Sequence, residues 1–481
     1  MQILNYEPKR VFHHFAAISK IPRGSGNEEA VSDFIAKFAE KLGLDYVQDS
    51  SHNLIIYKDG TPGYEDSPPV ILQGHLDMVC EKNADTVHDF LKDPIKLYVD
   101  GDYLKADGTT LGADNGIAVA YCMALLEAKD IPHPPLEVVL TSDEEAGMTG
   151  AMNLNVNMLK GRRMVNMDSG SVGCFTAGSA AASTAEYEFF VKWEAPRENT
   201  EAYTLTVKGL QGGHSGGDIN KGRGNAICIL GIVLNAIERA IDNVRISNLA
   251  GGMKVNAIPR EAQATIVISP SDKEILTKAV DICTTTLKTF FRVADPGLKV
   301  ALEPAEMPEK VIANDEKLSY SMLLFPYGML AMSIDIDDLV ASSCNIGVIE
   351  TFESDVRVSC MARGATKEYL SDVEDKIIAL ACLAGADIQF GHSSPAWDFN
   401  PDSEILKQFA SYYKEQVGEE PKVIAMHGGL ECGIFAEKLP GLDIVAIGPN
   451  MYDLHTPQER LSISSTAVIW KFLCGVLGTL K

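Results

Sequence analysis

Acidic and histidine side chains recur in five short segments that lie far apart in this 481-residue sequence. The segments read GHLD, GADNG, SDEEAG, NMDS and YDLHTPQER. In the third segment, consecutive acids follow the apolar run LEVVLT, which is typical of a buried strand. Like charges repel, and an unpaired buried carboxylate is costly, so we expect positive charge to face these acids.

Four of the segments follow apolar runs that predict strands, and GADNG begins a predicted helix. In open α/β sheets, ligands bind outside the carboxyl ends of the strands. The sequence therefore predicts that one edge of a sheet gathers the following side chains: His75, Asp77, Asp114, Asp143, Glu144, Glu145, Asp168, Asp453 and His455.

Two histidines with several carboxylates are a ligand set for divalent transition metals, above all zinc, with manganese or cobalt as substitutes. The carboxylates are too many for one tetrahedral ion, whereas two ions that share a bridging carboxylate would use them. Each motif alone has a simpler explanation, since paired glutamates often begin a helix and a single loop histidine is common. Their joint placement after strands favours the metal site.

The elements that must position these side chains are predicted from the apolar pattern. The first third of the chain alternates helix and strand patterns, which favours a mostly parallel, helix-covered sheet. SGNEEAVSDFIAKFAEKLG predicts a helix in which Ser25 and Glu28 have capping-box spacing and Gly43 marks the end. From about residue 183, strands such as AYTLTVKGL alternate apolar and polar residues, as in an antiparallel sheet with one exposed face.

We therefore predict an α/β fold with an inserted α+β domain. Residues 1–182 and 396–481 are expected to form the domain with the helix-covered, mostly parallel sheet, and residues 183–395 the insertion. GHSSPAWDFNPDS, which is rich in Pro, Ser and Asp, predicts the connection back to the first domain.

The composition limits the partners and the compartment. The net charge of −24 disfavours nucleic acid, because an acidic chain repels phosphate backbones. The 10 cysteines include no CxxC pair, which indicates reduced thiols in a cytoplasmic protein. The start MQILNYEPKRVFHHF lacks the apolar core of a signal peptide, and no apolar run reaches ~18 residues, so we expect no membrane span.

The motifs GHLDMV, GADNGIAVA, DEEAGMTGA, NMDS and HTPQER, in this order, resemble those of the co-catalytic di-zinc exopeptidases. The match runs over nearly the whole chain. EEAGMTGA, the length and the long insertion are most similar to the aminoacyl-histidine dipeptidases (Xaa-His dipeptidases). The resemblance implies a zinc exopeptidase-like catalytic domain with an inserted lid domain, and it implies dimerisation through that lid.

The resemblance also implies the metal ligands, which are His75, Asp114, Glu145, Asp168 and His455. Asp114 would bridge two zinc ions, and its bond to Asn115 would be a cis peptide. One ion would have His75 and Asp168 in addition, and the other Glu145 and His455. Manganese or cobalt are substitutes for zinc.

The resemblance also implies roles in the reaction for three further residues. Asp77 would accept the ring N–H of His75. Glu144 would be the general base for a zinc-bridged water, and we expect it to point away from Glu145 because neighbours on an extended segment alternate. His214, in the glycine-rich QGGHSGGD, would stabilise the oxyanion, although these glycines also fit a simple flexible turn.

Substrate contacts are predicted from three motifs. Asn256 in VNAIP and Arg363 in MARGA resemble lid positions that hold the C-terminal carboxylate of a substrate, a task that suits arginine. Arg363 equally fits a surface ion pair. His427 and Glu431 in MHGGLECGIF would bind the substrate amine or shape the pocket within the catalytic domain, or else mark a helix start after Gly429.

The sequence thus predicts a cytoplasmic metal-dependent dipeptidase that acts on small peptides with a C-terminal histidine. The same metal site acting on other peptides or on N-acyl amino acids is an alternative. A non-catalytic metal-binding protein is a third hypothesis, which Glu144 argues against, because no metal needs that residue.

Overall fold

The structure is a computed structural model that describes residues 2–313 and 317–481. The chain divides into two compact units. The first unit comprises Met1–Gly178, Trp397–Ala425 and Leu430–Lys481, and the second comprises Ser179–Ala396 and Met426–Gly429. His427 therefore lies in the second unit, whereas the sequence had placed it in the catalytic domain.

The helices are α1 Lys9–Ile18, α2 Glu29–Leu42, α3 Ala113–Glu127, α4 Glu144–Gly147, α5 Thr149–Asn153, α6 Ala226–Glu238, α7 Lys273–Phe290, α8 Leu318–Leu324, α9 Lys367–Ala384, α10 Glu404–Val417, α11 Glu431–Lys438 and α12 Ile463–Leu477. None of the described helices is both long and apolar enough to cross a membrane.

The strands up to residue 208 are β1 Tyr46–Gln48, β2 Leu54–Lys58, β3 Val70–His75, β4 Leu97–Asp100, β5 Tyr103–Ala106, β6 Leu136–Thr141, β7 Arg163–Asn166, β8 Cys174–Ser179, β9 Ala181–Phe190, β10 Trp193–Glu194 and β11 Glu201–Lys208. Those that follow are β12 Gly213–His214, β13 Arg245–Gly251, β14 Ala257–Ile258, β15 Ala262–Ile268, β16 Lys299–Ala305, β17 Val311–Ile312, β18 Gly328–Met332, β19 Val340–Thr351, β20 Asp355–Gly364, β21 Asp387–Ser394, β22 Lys422–Met426, β23 Asp443–Ala446, β24 Met451–Tyr452 and β25 Arg460–Ser462.

The main sheet of the first unit has the strand order β1-β2-β6-β3-β7-β23-β8-β22 among the described residues. Its central strands β6, β3, β7 and β23 are parallel, whereas β1, β2 and β8 pair antiparallel with their neighbours. The predicted helix-covered sheet with parallel central strands is confirmed. Because parallel strands end at the same edge, residues that follow β3, β6 and β7 are brought together.

Both faces of this sheet are covered. Along β3, Val70 and Leu72 pack into a core with α1, α2, α3 and α12, while Ile71 packs on the opposite face into a core with α5 and α11. Every residue of β3 and β6 is buried, as expected for central strands between two helical layers.

The start of α2 differs from the prediction. Gly43 ends the helix in the left-handed conformation, as predicted, but the helix begins at Glu29 without a side-chain cap. The Ser25 hydroxyl instead donates to Asp77, at 2.7 Å, and Glu28 accepts from the backbone N–H groups of Gly26 and Asp143. The capping box predicted for Ser25 and Glu28 is therefore wrong, since both side chains bond to other parts of the structure.

The second unit contains an antiparallel sheet in the order β16-β11-β15-β13-β19-β20-β9-β21, with β18 paired to β19. Its buried face packs against α6, α7, α8 and α9 in one core. Asp387–Ser394, part of which was predicted as a connecting segment, is the edge strand β21 paired with β9.

Candidate metal centre

His75 is the last residue of β3, and its register partner Thr141 is the last residue of β6. Its ring is buried, with Nδ1 3.2 Å from Asp77 Oδ1. Asp168 follows β7 by two residues, and its Oδ1 lies 3.9 Å from His75 Nε2. The parallel strand ends thus bring His75, Asp77 and Asp168 to one edge of the sheet, as predicted.

Asp114 lies at the start of α3, where it and Asn115 have non-helical backbone angles and are joined by a cis peptide bond, as the resemblance implied. The Asn115 amide ties three segments together. Its Oδ1 accepts from the backbone N–H of His75 at 3.2 Å, and its Nδ2 donates to the Met167 carbonyl and to Asp168 Oδ1, at 3.0 and 3.3 Å.

Glu144 and Glu145 begin the single helical turn α4, directly after Asp143 with its φ of 55°. They do not lie on an extended segment, so strand alternation does not direct them. Asp77 holds this turn, because its Oδ1 and Oδ2 accept from the backbone N–H groups of Glu144 and Glu145 at 3.0 and 3.1 Å. Burial raises the pKa of Asp77, but His75, Ser25 and the N–H of Glu144 outweigh it and lower the pKa to about 2.

The carboxylate of Asp114 lies between the two histidines. Its Oδ1 is 3.2 Å from His75 Nε2, and its Oδ2 is 3.3 Å from His455 Nε2. His455, whose φ is 61°, also places Nε2 3.1 Å from Glu145 Oε2.

Side-chain atoms at this edge form groups in which every ligand atom lies within 4.8 Å of the others. One group is His75, Asp114 and Asp168, and another is Asp114, Glu145 and His455. These are the two sets that the resemblance implies, with Asp114 in both. A further group of His75, Glu144 and Glu145 also meets the limit, so proximity alone does not separate Glu144 from the ligands.

The electrostatics of the site reflect crowded negative charge. Burial and neighbouring carboxylates raise the pKa values of Glu144 and Asp168 well above their usual range, although His75 opposes this. Hydrogen bonds with Asp114 and Glu145 raise the pKa of His455 to about 10, although burial opposes this. Burial lowers the pKa of His75, but the surrounding carboxylates outweigh it and raise the pKa overall. The site therefore favours positive charge strongly.

The donor set fits a pair of divalent cations. Two imidazoles and three carboxylates are suitable ligands for zinc, manganese or cobalt. The buried Glu145 Oε1 has no hydrogen-bond partner among the described residues, which an ion would remedy. Sequence reasoning missed Ser25, Asn115 and Glu459 as supports of this site, although Asn115 and Glu459 lie within the motifs.

In the second unit, the structure brings His214 and Asn256 side by side. β12 pairs with β14, so that His214 lies opposite Ala257, and the Ser215 backbone N–H donates to the Asn256 carbonyl at 2.9 Å. The His214 Nδ1 accepts from the backbone N–H groups of Gly216 and Gly217, at 3.2 and 3.1 Å. A neutral His214 therefore carries its proton on Nε2.

Arg363 and His427 also lie together in this unit. Arg363 on β20 is opposite Ser343 on β19, and the Ser343 hydroxyl lies 2.7 Å from His427 Nε2. Burial and the positive charge of Arg363 lower the pKa of His427 to about 3, which keeps this ring neutral.

Glu431, predicted as a substrate contact, is the first residue of α11 and is buried in the first unit. Its Oε2 accepts from the Gln73 amide and the Thr141 hydroxyl, at 2.5 and 2.6 Å. Burial raises its pKa to about 7. This position fits the predicted helix start. It also fits a role in shaping the site, because Glu431 binds side chains of the sheet strands β3 and β6.

Comparisons with known proteins show what the chain is similar to. The model of peptidase family M20/M25/M40 matches residues 71–478. The chain is 35% identical to the cytosol non-specific dipeptidase of Escherichia coli (strain K12), over 99% of this chain and 98% of that protein. The crystal structure of aminoacylhistidine dipeptidase from Vibrio alginolyticus superposes with a TM-score of 0.90 at 37% identity, over 100% of this chain and 98% of that one.

More distant structures share the fold alone. One is a tripeptidase from Staphylococcus aureus, with a TM-score of 0.57 at 17% identity over 99% of both chains. The similarity to the Vibrio structure confirms the predicted fold class, and the predicted resemblance to dipeptidases is confirmed. With ligand sets gathered at the strand ends and matches along most of its length, the chain belongs to peptidase family M20/M25/M40 and is a metallopeptidase close to the dipeptidases.

Proposed function

We propose that this protein hydrolyses dipeptides, including those with a C-terminal histidine, by means of two metal ions that share Asp114. The observation that carries the proposal is the Asp114 carboxylate, whose two oxygens face His75 and His455 at 3.2 and 3.3 Å. Preference for Xaa-His is supported by the similarity to an aminoacylhistidine dipeptidase. The relative from E. coli is a non-specific dipeptidase, which favours a broader range of dipeptides as the second candidate.

We assign His75, Asp114 and Asp168 to one ion, and Asp114, Glu145 and His455 to the other. We propose zinc as the metal, with manganese or cobalt as substitutes, because imidazole and carboxylate together suit all three. The ions, when bound, supply Lewis acids that polarise the peptide carbonyl and make water a better nucleophile.

Glu144 is the general base in this proposal. The two ligand sets that share Asp114 do not include the Glu144 carboxylate. Asp77 accepts the backbone N–H of Glu144 at 3.0 Å, which fixes the turn that carries Glu144. Its carboxylate takes a proton from the attacking water and later gives it to the leaving amine. Asp77 acts through its neighbours, because it orients the His75 ring and supports the turn of Glu144 and Glu145.

His214 is the oxyanion donor in this proposal. Its Nδ1 accepts two backbone N–H groups, so the N–H of the neutral ring is at Nε2 and is directed away from its own loop. A neutral donor of this kind stabilises the negative charge that develops on the carbonyl oxygen of the scissile bond.

Arg363 is the partner proposed for the substrate carboxylate. Its side chain is 6% exposed, its Nε lacks a hydrogen-bond partner, and in the described part of the chain no carboxylate forms an ion pair with it. Burial lowers its pKa to about 10, so it is still charged at neutral pH. A buried cation without a counter-charge suits an anionic ligand. We place the neutral His427 and Asn256 at the same carboxylate.

We also propose a cytoplasmic location, which the name of the E. coli relative supports. Dimerisation through the inserted domain stays a prediction.

We predict that the purified protein cleaves a panel of dipeptides and that removal of its metal abolishes this activity. The panel should compare Xaa-His with other C-terminal residues, with a tripeptide and with N-acetylhistidine, and metal content should be measured on the same samples. Zinc, manganese or cobalt should restore cleavage after chelation. Unchanged cleavage by protein proven free of metal would refute the mechanism, and inactivity toward every dipeptide with two ions bound would refute the substrate class.

Glu144→Gln should keep two metal ions and lose about 10²–10⁴-fold in kcat, because a general base is removed while the ligands remain. Asp143→Asn is the matched control, since this neighbouring carboxylate accepts from the Thr149 hydroxyl and belongs to no ligand group. The control should retain near-normal turnover. Loss of an ion in Glu144→Gln would instead assign Glu144 to the ligands.

Arg363→Met should lower kcat/KM for dipeptides by about 10–100-fold, mainly through KM, because a charged hydrogen bond to substrate is lost. Dipeptide amides, which lack the carboxylate, should be poor substrates for both forms and should not distinguish them. The control is Arg357→Met on the same strand, because Arg357 already pairs with Glu186, Glu188 and Asp355. Equal losses of kcat/KM with dipeptides and with dipeptide amides would show that Arg363 does not bind the substrate carboxylate.

A further inference from the structure

Glu459 is a buried carboxylate that accepts four consecutive backbone N–H groups. Its Oε2 accepts from Leu111 and Gly112, at 2.7 and 3.0 Å, and its Oε1 accepts from Ala113 and Asp114, at 2.8 and 3.3 Å. Its side chain is only 3% exposed. Both oxygens are thus committed to the segment that ends at Asp114.

These N–H groups need a partner from elsewhere in the chain. The first N–H groups of a helix have no acceptor within it, and the residue before α3, Gly112, provides no side-chain cap. Glu459 meets this need from a distance of 345 residues in sequence. It also follows His455 by four residues, so the same side chain joins the Asp114 segment to the His455 segment.

Arg23 binds the adjoining carbonyl groups. Its guanidinium donates to the carbonyls of Leu76 and Asp77, at 2.8 and 2.9 Å, and to the carbonyl of Gly112. Arg23 is as deeply buried as Glu459, and its positive charge lies where the Glu459 charge stabilises it. The strand end that carries His75 is thereby joined to the segment that carries Asp114.

Glycine is required where this guanidinium meets α3. A Cβ on Gly112 would lie 2.6 Å from Arg23 Nη2, and a Cβ on Gly116 would lie 2.5 Å from it. Gly112 also has a φ of +69°, which side chains with a Cβ rarely adopt. The backbone on both sides of Asp114 is therefore packed directly against Arg23.

We propose that Glu459, together with Arg23, is a positioning residue that fixes the Asp114 carboxylate so that it serves both metal positions at once. The inference rests on the proposed function for Asp114 as the shared ligand. Neither side chain belongs to a candidate ligand group among the described residues. They act through the backbone, and loosening this backbone weakens both ions together because both depend on Asp114.

The test is Glu459→Gln, measured by cobalt titration with visible spectroscopy and by competition with chelators of graded strength. A glutamine keeps the shape but presents N–H donors to two of the four backbone N–H groups, so part of the clamp becomes repulsive. We expect both ions to bind about 10–100-fold more weakly and the cobalt spectrum to change. Kinetics are not needed for this measurement.

Glu137→Gln is the matched control. Glu137 is also 3% exposed and accepts backbone N–H groups, those of Lys160 and Gly161, but it lies near the start of β6, at the opposite end of the strand from Glu144. Its variant should bind both ions as the wild type does. An equal loss of metal affinity in this control would show that the effect is general destabilisation and would overturn the proposal.

Unchanged affinity for both ions in folded Glu459→Gln also overturns the proposal, as does a loss confined to one ion. If Glu459→Gln does not fold, Glu459→Asp carries the test, because it keeps the charge and withdraws the carboxylate by one methylene. It should weaken both ions to a smaller extent, and wild-type affinity would contradict the proposal. Failure of the wild type to cleave dipeptides would refute the proposed function and leave these binding constants interpretable.

Discussion

Four carboxylates and two histidines crowd together at one edge of the first unit's sheet, and their mutual repulsion is the constraint that the surrounding structure meets. The carboxylates of Asp114, Glu144, Glu145 and Asp168 are each at least 87% buried as side chains. Burial of like charges at this density is stable only when donors and cations surround them.

The side chains around these carboxylates bind backbone groups, and each one joins two segments of the chain. Asp77 accepts the N–H groups of the turn that begins at Glu144, while Asn115 connects the ends of β3 and β7. Glu459 and Arg23 do the same for the segment before α3. Side chains on rigid strand ends, held by such bonds, are positioned more precisely than side chains on independent loops. The sheet thus supplies the rough placement, and the buried polar contacts supply the final geometry.

Most of the site could be predicted from the sequence because its ligands follow strands whose ends must meet. The apolar runs before His75, Glu144 and Asp168 are short, and parallel central strands leave one edge where such residues converge. The resemblance then selected Asp114 as the shared carboxylate, and the structure places it between the two histidines.

The predictions that failed depended on partners distant in sequence. Ser25 has the local spacing of a helix cap, yet its hydroxyl bonds to Asp77, 52 residues away. His427 stands between segments of the first unit in sequence but groups with the second, beside Ser343. Glu459 lies in HTPQER, but nothing in the local sequence indicates that its carboxylate accepts from backbone N–H groups more than 340 residues away. Local patterns predict elements, whereas these contacts arise only when the elements pack.

The most direct test of a shared Asp114 is anomalous diffraction from crystals grown with zinc, with data collected on both sides of the zinc absorption edge. The account predicts two anomalous peaks, one beside His75 and Asp168 and the other beside Glu145 and His455, with an oxygen of Asp114 bound to each. A single peak, or two peaks of which one does not contact Asp114, would contradict it.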